Sequence, residues 1–133
     1  MRVRLDVVAA ATVVASFAGS LHAHHSLEET YDVRRAVTLT GVVTNVGWVN
    51  PHTLLSLEVK GATGETTIWS VELGPPHGMT RSGMGPAVLK QGDEISVDVW
   101  LAKDGSPSAN GRALRAAGGA VYVASPDLWM SVR

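Results

Sequence analysis

Glu94-Ile95-Ser96-Val97-Asp98-Val99-Trp100-Leu101-Ala102 is the stretch that decides the fold. Ile95, Val97, Val99 and Leu101 recur at period two, with Ser96 and Asp98 between them, the pattern of a strand buried on one face. Trp100 shares the parity of Ser96 and Asp98, which predicts that it faces outward. The turn Gln91-Gly92-Asp93 precedes this strand and a polar loop, Lys103 to Gly111, follows it. A further strand is expected near Arg112 to Ala117, with Ala120 to Ala124 continuing it or pairing with it after Gly118-Gly119.

Upstream, Val37 to Val49 is rich in Val and Thr and reads as a long strand. Val37 and Leu39 share one parity, whereas Val42, Val46 and Trp48 share the other, so Gly41 is expected to mark a bulge or sharp bend. Asn50-Pro51 ends that strand, and Leu55, Leu57 and Val59 alternate through a second. Gly61 and Gly64 bracket a turn. A third strand runs from Glu65 to Leu73, with Trp69, Val71 and Leu73 on one face, and Gly74-Pro75-Pro76 stops it because proline cannot donate to a ladder. Between Pro76 and Lys90 the periodicity disappears, and Pro86 to Lys90 is the place for a short helix with proline in its first turn. A long bent first strand, four more strands and a short helix between the third and fourth predict a mainly β fold, an OB-like five-stranded Greek-key barrel. A small open sandwich is the competing architecture.

The amino terminus reads as an address. Arg2 and Arg4 precede an apolar run from Val7 to Ala18, and Leu21-His22-Ala23 offers a small residue at a cleavage position, the pattern of a secretory signal. The run is shorter than the roughly 20 residues a membrane-spanning helix needs. The expected organisation is a cleavable signal at 1–23, an approach segment at 24–36, the barrel at 37–125 and a tail at 126–133, in a periplasmic or secreted protein with no stable membrane span after cleavage. Asp127, Leu128, Trp129 and Met130 in the tail are expected to pack across the barrel or engage a partner.

Composition excludes several function classes. The 133 residues carry 11 Lys and Arg against 12 Asp and Glu and contain no run of basic residues, so nothing here would hold a phosphate backbone and nucleic acid is not an expected partner. Cysteine is absent, which removes both disulfides and thiolate metal sites. No nucleophile elbow, phosphate loop or paired-histidine protease motif occurs, so nothing points to an enzyme or to a catalytic residue. Glu29, Asp32 and Glu72 have no spacing that pairs them for acid and base work.

His24-His25-Ser26, Thr38-Leu39-Thr40-Gly41, Trp48-Val49-Asn50-Pro51-His52, Gly74-Pro75-Pro76 and Gly92-Asp93 follow one another through nearly all of the chain after the signal. In these motifs the sequence resembles an uncharacterised family of small exported bacterial proteins built on a domain of unknown function. The resemblance implies export and fold but no reaction or ligand. Members of that family carry Asn after the double proline where this chain has His77, so the resemblance assigns His77 no role.

The histidines carry the chemistry. Cutting after Ala23 would leave His24 with a free α-amine beside its imidazole, two nitrogen donors able to chelate one metal, similar to the amino-terminal histidine motif of several exported copper proteins. Their pKa values, about 7.7–8.0 and about 6.5, let both give up protons to a metal near neutrality. His25 adds a second imidazole, and His52, fixed behind Pro51 in the first interstrand loop, is the expected donor from the barrel. Nitrogen ligands favour Cu²⁺, with Zn²⁺ as the alternative. Trp48 would wall the site, Asn50 would orient the His52 ring by a hydrogen bond, and His77 is an additional candidate. Met79 and Met84 read as gap fillers. These residues suggest a transition-metal binding or carrier protein. The alternative is a periplasmic binding module that uses Trp48, Trp69 and Trp100 with the 103–111 loop as an aromatic face for a carbohydrate, peptide or protein.

Overall fold

β4 (Glu94–Ala102) forms over the bounds its alternation requires, with Ile95, Val97 and Val99 sealed in the core. On its outer face Asp98 accepts hydrogen bonds from Thr38 Oγ1 (2.7 Å) and from both arms of the Arg115 guanidinium (2.9 and 2.7 Å), and Ser96 bonds Thr40 across the strand pair. The Arg115 and Thr38 bonds hold the Asp98 carboxyl below its ordinary range. Trp100 is half-buried on this face, with the Arg112 guanidinium 3.8 Å from its ring centroid.

The computed structural model describes residues 27–124. Around β4 it holds β1 (Tyr31–Gly47), β2 (Leu54–Lys60), β3 (Thr66–Glu72), α1 (Pro76–Arg81), β5 (Ser108–Ala116) and β6 (Val121–Val123). Antiparallel pairing runs β3-β2-β1-β4-β5-β6, and a parallel pairing of β3 with β5 joins the two flanks. The five strands close into an OB-like barrel with a short helix between the third and fourth, and β6 is appended to β5. That closure excludes the open sandwich. Leu55, Leu57, Val71, Leu73, Val97, Val99 and Leu114 fill the interior, with Met79 and Met84 as the gap-filling methionines.

Four local expectations are corrected. β1 starts at Tyr31, six residues before Val37, because its pairing with β4 is irregular between Tyr31 and Ala36 and that irregularity hides the alternation. Its phase change lies between Val43 and Asn45, where the register with β2 shifts, so Val43 is buried and Val42 is exposed. β5 starts at Ser108 because Ser108, Ala109 and Asn110 pair with β3, a seam whose small and polar residues read as loop. The helix is Pro76–Arg81, with Pro76 in its first turn and Gly78 and Met79 buried, whereas residues 86–89 make only turns in which Val88 and Leu89 donate to the Gly85 carbonyl. Both segments have the proline signal and both bury an apolar side chain, Met79 in the first and Leu89 in the second, so sequence alone does not separate them.

Gly41 is required by close approach. A Cβ there would lie 2.1 Å from the Glu58 carbonyl oxygen, a backbone atom that cannot rotate away. At Gly111 the nearest obstacle, at 2.4 Å, is the Leu73 Cδ2 methyl, which can move, and at Gly118 nothing lies within 4 Å. Gly41→Ala is therefore expected to destabilise the fold by about 1–3 kcal/mol, the range for overpacking, and Gly118→Ala to leave it within about 0.5 kcal/mol. Urea unfolding of the two variants tests this, and an unchanged midpoint for Gly41→Ala would refute the close approach.

Candidate functional site

The β1–β2 connection carries Trp48, Asn50, a cis Asn50–Pro51 bond and His52. Thr53 fastens it to the end of β3: its N–H donates to the Gly74 carbonyl (3.0 Å) and its carbonyl accepts from Leu73 (2.8 Å). Leu54 then pairs with Glu72, which puts the Glu72 side chain within reach of His52. His52 Nδ1 lies against Glu72 Oε1, with the two side chains 39% and 26% exposed. A carboxylate only accepts, so Nδ1 carries a proton, and in the neutral ring Nε2 is then the lone-pair donor. Among the described residues Nε2 has no partner.

Glu72 is held in turn. The Tyr31 hydroxyl donates to Glu72 Oε2 at 3.0 Å, a bond between residues 41 apart in the chain. Tyr31 is 8% exposed, and its backbone lies opposite Ala102 at the end of β4. Burial pushes its hydroxyl up to about 12, with the Glu72 charge and the hydrogen bond to Glu72 adding to the shift and a hydrogen bond with Ser108 opposing it. On the other side of Glu72 in the β3–β5 pairing is Asn110, fully buried, whose amide nitrogen and oxygen are both unpaired among the described residues. His52, Glu72, Tyr31 and Ser108 thus bring the β1–β2 connection, β3, β1 and β5 together at one rim.

Of the residues expected here from sequence, the described structure contains His52, Trp48, Asn50 and His77. His24 and His25 lie outside the described residues, as do residues 1–23, expected to be a signal, and the 126–133 tail with its Asp127, Leu128, Trp129 and Met130. Asn50 is exposed and bonds nothing in the described structure; Glu72 does the orienting that Asn50 was expected to do. Trp48 packs partly buried against the core. His77 sits on the first turn of α1, and no three His, Asp or Glu residues group together among those described, so it does not join His52 and Glu72. The three tryptophans share no face: Trp48 and Trp69 pack on the core, while Trp100 lies outward under Arg112. Among the described residues no helix is long and apolar enough to cross a membrane.

Glu72 and Tyr31 were not expected in the site. The signal for Glu72 lies in the β2–β3 turn: Gly61 donates to the Glu65 carbonyl and pairing begins at Lys60 and Thr66, so counting back pairs Glu72 with Leu54, two residues from His52. No local signal exists for Tyr31, which meets Glu72 only across the closed barrel.

The Tyr31 shift fixes a pH dependence. The folded-state pKa is raised above the ordinary 10.0, so the fold favours the neutral phenol. The associated stability is fully present below pH 10 and is lost as the pH rises towards about 12. Urea midpoints across that window should fall more steeply for the natural chain than for Tyr31→Phe. Parallel curves would show that the phenol does not titrate in the environment described here.

A family model described as a family of unknown function (DUF6152) matches residues 10–112, a span that contains Tyr31, His52, Glu72 and Asn110. Neither the curated proteins nor the solved structures give a match. By the extent of that family match, the chain belongs to DUF6152, a family of unknown function.

Proposed function

We propose that the protein is an exported transition-metal binding or carrier protein, taking Cu²⁺ in preference to Zn²⁺ through His52 and the amino-terminal donors His24 and His25. The observation that carries this reading is the His52–Glu72 contact. Metal-binding histidines characteristically give their second ring N–H to a carboxylate, which fixes the tautomer and raises the basicity of the ligating nitrogen. His52 is held in this way, and its Nε2 has no competing partner among the described residues. Removal of a signal at Ala23 would supply the α-amine and imidazole of His24 beside the imidazole of His25. His25 is six residues from Tyr31, and because residues 27–30 are helical, rising about 1.5 Å per residue, that length reaches about 13 Å from a chain whose Tyr31 bonds the partner of His52.

Donor chemistry favours the cupric ion. Met79 and Met84 are sealed in the core, so their sulfurs are not offered at the rim, and cysteine is absent. Imidazole and amine nitrogens then dominate, a set that binds Cu²⁺ ahead of Zn²⁺ in the usual affinity order.

The test is calorimetric titration of Cu²⁺ and Zn²⁺ into the mature chain, its first residue verified as His24 by mass spectrometry. One Cu²⁺ per chain, held more tightly than Zn²⁺, is the expected result. His52→Ala should weaken it by at least about tenfold while the unfolding midpoint stays near that of the natural chain. Absent binding, or binding indifferent to His52→Ala, would overturn the proposal.

A further inference from the structure

Glu72 alone is a poor support for a ligating imidazole. Its side chain is 26% exposed at the barrel rim, and a glutamate there has several rotamers that would swing the carboxylate into water. Tyr31 removes that freedom. Its ring has only two torsions and is nearly buried, so the position of its hydroxyl is set by packing, and that hydroxyl bonds the Glu72 oxygen that His52 does not use. The start of β1 is itself pinned: the Lys103 N–H donates to the Thr30 carbonyl at 2.9 Å, and the Lys103 ammonium bonds the Glu28 carbonyl.

We infer that Tyr31 is a positioning residue of the His52 site: through Glu72 it fixes the imidazole with Nδ1 protonated and Nε2 presented. The inference rests on the metal reading above and deepens it. Because the Tyr31–Glu72 bond spans the barrel, it also makes the site conditional on closure of the fold: an unclosed chain has the same histidines but no oriented imidazole.

Two readouts separate this role from simple support of the fold. The first is Cu²⁺ affinity of the mature full-length chain, measured by competition with a chelator. The second is the ¹⁵N spectrum of the His52 ring in the metal-free protein, which distinguishes the two neutral tautomers. Tyr31→Phe should weaken Cu²⁺ binding by roughly tenfold, as loss of a supporting partner does, and should turn a single Nδ1–H tautomer into a mixture. Glu72→Gln, which leaves Tyr31 in place, should also weaken binding and serves if the Phe variant fails to fold. Natural affinity and an unmixed tautomer in Tyr31→Phe, or natural affinity in Glu72→Gln, would overturn the inference. A natural chain that binds no Cu²⁺ sinks the metal reading instead; the ring spectrum of Tyr31→Phe then decides the positioning role alone, a mixture supporting it and a single tautomer refuting it.

Discussion

Three residue pairs close the barrel, Ser70 with Ser108, Val71 with Ala109 and Glu72 with Asn110, and most of what is distinctive in the structure depends on them. A parallel pairing cannot be made by a hairpin; it needs the chain to leave β3, traverse the helix and β4, and return. The seam therefore forms only when the sheet has curled enough to meet itself. It also limits the residues allowed beside it, since a Cβ at Gly111 would run into Leu73 and Val71. Small side chains bring the two backbones together, and their approach places Glu72 beside Asn110 and within reach of Tyr31.

Curling has a second requirement in β1, which pairs with β4 along its first part and with β2 along its last. A regular strand cannot serve both neighbours without a bend. Gly41 allows the β2 backbone to come within contact of β1, and the shift at Val43 and Asn45 then turns the side chains over, so that Val43 and Val46 both face the core despite their opposite parity. The same bend lets one strand contribute to the rim twice, through Tyr31 at its start and through the connection to His52 at its end.

The sequence was most legible where one face of a strand is buried and pairing is regular. β4 could be read residue by residue from Ile95 to Val99, where buried and outward residues alternate strictly; beyond Val99 the alternation breaks, with Leu101 half-buried and Ala102 buried. Reading failed where tertiary demands replaced alternation: at Tyr31 to Ala36, where the pairing with β4 slips; at Ser108 to Asn110, where the seam selects small polar residues; and at α1, where two proline-led segments each bury an apolar residue and local signals do not choose between them. The site divides in the same way. His52 stands out because proline precedes it in a loop, and Glu72 follows from the hairpin register. Tyr31 is invisible to any local rule because its partner lies 41 residues away across a closure that propensity does not encode.

The distribution of polar groups is the last constraint. At the far end of β4 and β5, Met84, Leu89, Ile95, Leu114 and Tyr122 line an open cavity of about 210 Å³, with Asp93 and Glu94 also on its wall. Ile95 and Ala102 are seven residues apart, roughly 23 Å along a strand. At the Ala102 side Tyr31, His52, Glu72 and Ser108 gather, and the hydroxyl of Thr53 and the amide of Asn110 are buried with no partner among the described residues. An unpaired buried polar group costs about 1–3 kcal/mol, and apolar residues of similar shape at these two positions would remove that cost. Chains depart from local rules of stability mainly where function demands it. Both buried polar side chains without a partner among the described residues, Thr53 and Asn110, lie at the rim that holds His52 and neither lines the cavity at the other end, and that is the physical reason to look for the protein's chemistry at this rim.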